Sequence, residues 1–213
     1  MIKLLHKGFH YYIVGIIILT LGISLTIQSM LGTSPFDALL VGLYRTIGLS
    51  IGSWEIIVGF TFVLINAITS RTKPELFALL TSVFTGIGID SWLWIQGNWL
   101  TPTLIIEQWI LLLFGIILTG VGVAVYLESN FAPNPMDRTM VILSDKTSWS
   151  LSISRALISI ILVIIALAFN GAVGVGTLIN ALFSGVIIQW FRPYIVAIKT
   201  KPSTNKSFET SKN

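Results

Sequence analysis

The chain has 213 residues, of which 54% are hydrophobic and 10% are charged. In a water-soluble domain roughly a quarter of the residues are charged, so this composition excludes that class of protein. The apolar residues fall in long blocks, and several blocks reach the roughly 20 residues that a helix needs to cross a bilayer. We therefore expect an integral membrane protein, whose first partner is the lipid bilayer.

The formal net charge is +4, and it indicates orientation in the membrane rather than a nucleic-acid partner. The basic residues lie in loops and tails between the apolar blocks, where an excess of Lys and Arg marks the cytoplasmic side. With six spans and a cytoplasmic N-terminus, Arg45 alone lies outside. The sequence thus predicts a multi-pass protein with both termini in the cytoplasm.

Six segments are predicted to span the membrane: 11–30, 51–68, 75–94, 104–126, 151–169 and 173–191. Two shorter segments, 35–47 and 135–146, follow the first and the fourth span. A helix of this length reaches only about 20 Å at 1.5 Å per residue, whereas the hydrocarbon core is about 30 Å thick. We therefore predict two half-helices, either re-entrant or lying at the interface.

The two halves of the chain repeat each other. Residues 15–43 align without a gap with residues 115–143, and nine of the 29 aligned positions are identical. Each unit has three spans, an odd number, so the second unit must enter the membrane upside down. The predicted fold is all-α, with six transmembrane helices and two short half-helices in an inverted 3+3 repeat. Residues 1–98 form the first repeat, 99–194 the second, and 195–213 a disordered basic cytoplasmic tail.

Each half-helix opens with a capping residue, a proline and an aspartate, as Ser34, Pro35 and Asp37 in the first copy and as Asn134, Pro135 and Asp137 in the second. These residue types are favoured at the N-cap, the first helical position and the third, so helix initiation alone explains the motif. The expected depth of the motif in the membrane favours a role beyond helix initiation. Four extended residues before each half-helix span about 13 Å, which would place both N-termini near the membrane midplane.

Two opposed helix N-termini near the midplane would form a polar centre for a small solute. Ionised aspartates there repel anions, so a cation, a proton or a zwitterion fits better. The candidate ligands are the six motif residues together with Gln28, Glu128 and Asn180. Interfacial placement also explains Glu128, and an interhelical hydrogen bond also explains Asn180. Glu55 and Arg155 are equivalent by position, but inversion puts them at opposite faces, so we expect no direct ion pair between them.

Enzymatic chemistry finds little support in the sequence. There is no cysteine, no histidine within a predicted span and no H-E-x-x-H motif, so neither a catalytic base nor a metal site of a familiar kind is expected. Carboxylates alone can act as acid and base, which leaves an enzyme as the weaker reading. We predict no enzyme, no metal and no cofactor.

The stretch Gly32, Ser34, Pro35 and Asp37 resembles the bacterial YitT/YczE group of multi-spanning membrane proteins, and the resemblance extends to about Arg192. It implies a bacterial plasma membrane protein and no defined mechanism.

The leading hypothesis is a secondary transporter or exporter of an unidentified small solute, coupled to protons or another cation. One alternative is an accessory or scaffold protein that holds a cytoplasmic partner through its basic tail. A channel is the second alternative. The sequence is also compatible with a homo-oligomer.

Overall fold

A computed structural model describes residues 2–97, 99–129, 131 and 133–200. Ala132 of the second motif and the predicted tail from residue 201 onward lie outside the described residues. The described part contains eight helices and no strand, namely α1 (Ile2–Gln28), α2 (Pro35–Ile47), α3 (Ile51–Ser70), α4 (Leu76–Gln96), α5 (Ile105–Leu127), α6 (Pro135–Thr147), α7 (Leu151–Ala168) and α8 (Val175–Thr200).

Six of these helices, α1, α3, α4, α5, α7 and α8, are long and apolar enough to cross a membrane. The predicted spans are confirmed, and α2 and α6 are the two short helices expected between them. The last helix is longer than predicted. It continues to Thr200, so residues 195–200 are helical rather than the start of a disordered tail. Lys199 donates a hydrogen bond to the carbonyl oxygen of Glu128 at 2.6 Å, which fixes this end of α8 on the end of α5.

Helices α1 and α5 form the centre of the bundle and run antiparallel to each other. A Cβ atom on Gly22 would lie 2.4 Å from the backbone nitrogen of Thr119, and one on Gly122 would lie 2.3 Å from that of Leu19. The two contacts are equivalent in the repeat, because Gly22 corresponds to Gly122 and Thr119 to Leu19 at an offset of 100 residues. Glycine is required at both places because the backbones are too close for any side chain.

The short helices pack across the two halves of the chain. α2 packs against α3 and α7, and α6 packs against α7 and α3. In the same way α1 packs on α4, and α5 on α8. Residues 35–43 of α2 are all buried, which is the burial of an internal helix, because a helix lying at an interface exposes one face.

One pair of helices breaks this correspondence. α3 and α4 pack closely, since a Cβ on Gly86 would lie 2.4 Å from the carbonyl oxygen of Gly52. α7 and α8 show no such packing along the described residues, and a Cβ on Gly185, the counterpart of Gly86, would meet only the Arg155 guanidinium at 3.7 Å. The first repeat is therefore closed where the second is open.

The link between α1 and α2 is not helical. Its backbone groups form hydrogen bonds with the link between α7 and α8 and with the first turn of α8. Thr33 donates its N–H to the carbonyl of Ala172 at 3.1 Å, and Gly176 donates to that of Leu31 at 2.8 Å. Gly32 has φ +103°, a conformation that favours glycine. Non-helical backbone is thereby kept inside the protein, as a membrane requires.

Candidate functional site

The first motif is a complete helix cap with a carboxylate attached to it. The Ser34 hydroxyl oxygen accepts the N–H of Asp37 at 3.1 Å and lies 2.5 Å from Oδ2 of the same residue, to which it donates. Pro35 begins the helix at a position where no N–H is needed. Asp37 is 5% exposed, so its carboxylate is held inside the protein with one hydroxyl donor.

The second motif is built differently. Oδ1 of Asn134 accepts the N–H of Met136 at 3.0 Å, and its amide nitrogen donates to Glu55 at 3.4 Å. The Asp137 carboxylate lies 3.2 Å from the Tyr126 hydroxyl and 3.8 Å from the Arg155 guanidinium. The sequence predicts the same capping arrangement in both copies, but here the aspartate binds side chains of α5 and α7 instead.

Both half-helix N-termini line one cavity of about 160 Å³. Of the nine candidate ligands, six line it, namely Ser34, Pro35, Asp37, Asn134, Asp137 and Asn180. Pro135 is buried beside it and accepts a hydrogen bond from Asn66 at 2.9 Å through its carbonyl oxygen. An empty volume of about 150 Å³ accommodates a benzene-sized molecule, so the cavity suits a small solute.

Gln28 and Glu128 do not line the cavity. Gln28 is the half-buried last residue of α1. Glu128 follows α5 and pairs with Arg192 at 3.2 Å and with Lys199 at 3.6 Å. These contacts join the ends of α5 and α8, and they give Glu128 a structural explanation.

The cavity lining includes eight polar residues that are not among the nine candidates, and Glu55, Thr85, Tyr126 and Arg155 are four of them. Glu55 and Arg155 both line the cavity, and, as the sequence predicts, no ion pair joins them among the described residues. Each stands on the second turn of its helix, and both contact the second half-helix, Glu55 through Asn134 and Arg155 through Asp137. The signal was available, since a charged residue within an apolar span is a functional candidate by itself.

The cavity contains more acidic than basic side chains, and these side chains differ in their exposure. Three carboxyl groups, those of Asp37, Glu55 and Asp137, face one guanidinium, that of Arg155. Glu55 and Asp37 are 1% and 5% exposed, whereas the side chains of Arg155 and Asp137 are both 39% exposed. Burying an unpaired charge is costly. The part of the cavity formed by Asp37 and Glu55, which we call its closed half, therefore favours a proton or another cation on these carboxylates.

The sequence of this chain is similar to those of several bacterial proteins. A family model described as "Family of unknown function (DUF6198)" matches residues 6–193. The chain is 43% identical to the uncharacterized protein YyaS of Bacillus subtilis over 185 residues, which cover 87% of this chain and 92% of the relative. It is 32% identical to the uncharacterized membrane protein YczE of the same organism over 191 residues, 88% of this chain and 86% of the relative.

A protein of Haemophilus influenzae is 28% identical over 199 residues, which cover 92% of this chain and 88% of the relative. No solved structure matches the chain. The resemblance to the YczE-like membrane proteins is therefore confirmed.

Proposed function

Because this chain belongs to the family of unknown function DUF6198, whose relatives include the membrane protein YczE, we propose that it is a secondary transporter of a small solute. The observation that carries the proposal is the convergence of two half-helix N-termini and their aspartates on one cavity inside a bundle of six spans. Discontinuous helices that end at a central site are the usual construction of solute sites in such transporters.

We propose in addition that the two repeats are inverted and that their difference is one state of a transport cycle. The antiparallel contacts of α1 and α5 and the exchange of helix pairings between the halves support a pseudo-two-fold axis in the membrane plane. α3 packs closely on α4, whereas the equivalent helices α7 and α8 do not pack on each other along the described residues. A protein that is closed on one side and open on the other is what alternating access requires. With cytoplasmic termini, the open side would face the cytoplasm.

Coupling to protons or another cation follows from the carboxylates. Asp37 and Asp137 sit at equivalent positions, one buried and one partly exposed. A carboxylate that takes up a cation where it is exposed, and releases it after the other half opens, couples that cation to the movement. The transporter thus needs no cofactor.

The flux test uses vesicles that contain the purified protein and the pH-sensitive dye pyranine. Small amines, amino acids and sugars are added outside as separate classes, and exchange for protons changes the lumenal pH. We expect a response to at least one class, and we expect it to vanish in the Asp37→Asn/Asp137→Asn double variant. The control is Asp145→Asn, which changes an exposed aspartate outside the cavity. An undiminished response in the double variant would remove the aspartates from the mechanism.

A second test needs no substrate. The chain has no cysteine, so single cysteines at positions 34 and 134 can be labelled with a membrane-impermeant maleimide added on one side or the other. Alternating access predicts that each position reacts from both sides, at different rates. Reaction from one side alone at both positions would favour a static accessory protein.

A further inference from the structure

We propose that the closed half of the cavity, formed by Asp37 and Glu55, binds a small organic cation with an ammonium or guanidinium group. This inference rests on the proposed function, for which it names the solute class. It is carried by a difference between the two repeats, by a cavity side chain that lacks a hydrogen-bond partner, and by the size of the cavity.

The second repeat shows what an aspartate of this motif binds. Asp137 lies 3.8 Å from the guanidinium of Arg155, which α7 supplies from within the protein. The equivalent residue of the first repeat is Glu55, a carboxylate, and the described residues place no cationic side chain against Asp37 or Glu55. The first half therefore has two acids where the second has an acid and its counter-ion. An external cation would complete it.

One buried polar group of the lining independently indicates a ligand. The hydroxyl of Thr85, a residue that is 2% exposed and lines the cavity, has no hydrogen-bond partner among the described residues. Asn180, which is 4% exposed, lines the same cavity. Buried polar groups are almost always satisfied, so a hydroxyl oxygen that faces an acidic cavity fits an N–H donor of a bound cation.

The lining also selects a class of cation. Phe36, Tyr126, Met136 and Met140 contribute aromatic and thioether surface, which suits an organic cation better than a hard metal ion. The volume of about 160 Å³ limits the molecule to about the size of benzene. A methylated ammonium or guanidinium is of this size, whereas a large lipophilic dye is not.

The test measures thermal unfolding of the full-length protein in detergent, with methylguanidinium chloride as the probe. Methylurea is the neutral control of almost the same shape, and sodium chloride keeps the ionic strength equal. A ligand that binds only the folded state raises the unfolding temperature. We expect a saturable rise with methylguanidinium and none with methylurea. Equal shifts with both, or no shift with methylguanidinium, would overturn the proposal.

Variants locate the site. Glu55→Gln should weaken the apparent affinity at least tenfold, while Glu107→Gln, an exposed glutamate on α5, should leave it unchanged. Thr85→Val has nearly the same shape and removes a hydroxyl without a partner, so it should fold normally and still weaken binding several-fold. This second variant decides the matter if Glu55→Gln does not fold. Unchanged affinity in Thr85→Val and in any folded Glu55→Gln protein would place the cation elsewhere.

The same probe separates this inference from the transport proposal. If methylguanidinium stabilises the protein but is not exchanged for protons in vesicles, the cation site stands and transport of that cation fails. If vesicles transport only a neutral or anionic class and methylguanidinium causes no shift, the transport proposal stands and the cation site is wrong.

Discussion

The side-chain amide of Asn134 donates a hydrogen bond to the carboxylate of Glu55 at 3.4 Å, and this contact joins the N-cap of the second half-helix to a spanning helix of the first repeat. Asn134 also caps α6 through its other amide atom. One residue therefore starts a helix and supplies a donor to a buried carboxylate.

Replacing Asn134 by serine tests the two roles separately. Serine, which stands at the equivalent position 34, keeps a capping oxygen but is too short to reach Glu55. We expect a loss of about 1–3 kcal/mol in the free energy of unfolding, because a buried carboxylate loses a donor. Denaturant unfolding measures it, and the same change in a Glu55→Leu background should cost clearly less. Equal costs in both backgrounds would show that the contact contributes nothing.

The equivalent glycines Gly86 and Gly185 should respond differently to alanine. A Cβ on Gly86 would lie 2.4 Å from a carbonyl oxygen of α3, and overpacking of this kind costs about 1–3 kcal/mol. At Gly185 the nearest atom is a guanidinium nitrogen at 3.7 Å, an ordinary contact. Gly86→Ala should therefore lower the unfolding temperature while Gly185→Ala should not. Similar effects of both would contradict the open packing of α7 and α8.

Asp90 holds the closed pair of helices together. It accepts hydrogen bonds from the hydroxyl of Ser50 at 2.5 Å and from the N–H of Gly52 at 2.8 Å, so it caps α3 from α4. Asp90→Ala should loosen this end and speed maleimide labelling of a cysteine at position 34 several-fold. Asp145→Ala is the matched control. Unchanged labelling in Asp90→Ala would mean that these bonds do not keep the first half closed.

Arg155→Gln should strengthen cation binding. The change removes the guanidinium beside Asp137 and leaves that carboxylate with the Tyr126 hydroxyl, so three carboxyl groups then face the cavity without an internal counter-ion. Equilibrium dialysis with radiolabelled methylguanidinium should give an unchanged stoichiometry of one per chain and a lower Kd. An unchanged or higher Kd in the variant would show that Arg155 is not a substitute for a bound cation.

Removing residues 201–213 should leave transport unchanged. The family match ends at residue 193, and the residues that line the cavity all precede it. The vesicle assay with pyranine compares the shortened and full-length chains. A scaffold that holds a cytoplasmic partner through its basic tail predicts the opposite, namely lost function on truncation.

The six spans and the two short helices could be predicted because they depend on local composition. A block of about 20 apolar residues has few stable alternatives to a spanning helix, and Ser34-Pro35 and Asn134-Pro135 mark helix starts by local sterics and capping. Helix ends were less predictable. α8 extends to Thr200 because Lys199 binds the end of α5, a contact between residues 71 positions apart.

The membrane class, the number of helices and the repeated motif with its two aspartates are therefore properties of the amino-acid sequence alone. Which other side chains meet these aspartates depends on the tertiary structure. Glu55 lies on α3, whose packing against α4 is set by the close backbone approach at Gly86, and Arg155 lies on α7, which packs against α2 and α6. Such long-range packing leaves no local pattern in the chain. The half-helix motif, with Asp37 enclosed and Asp137 paired, acquires its asymmetry from that packing together with the difference between Glu55 and Arg155.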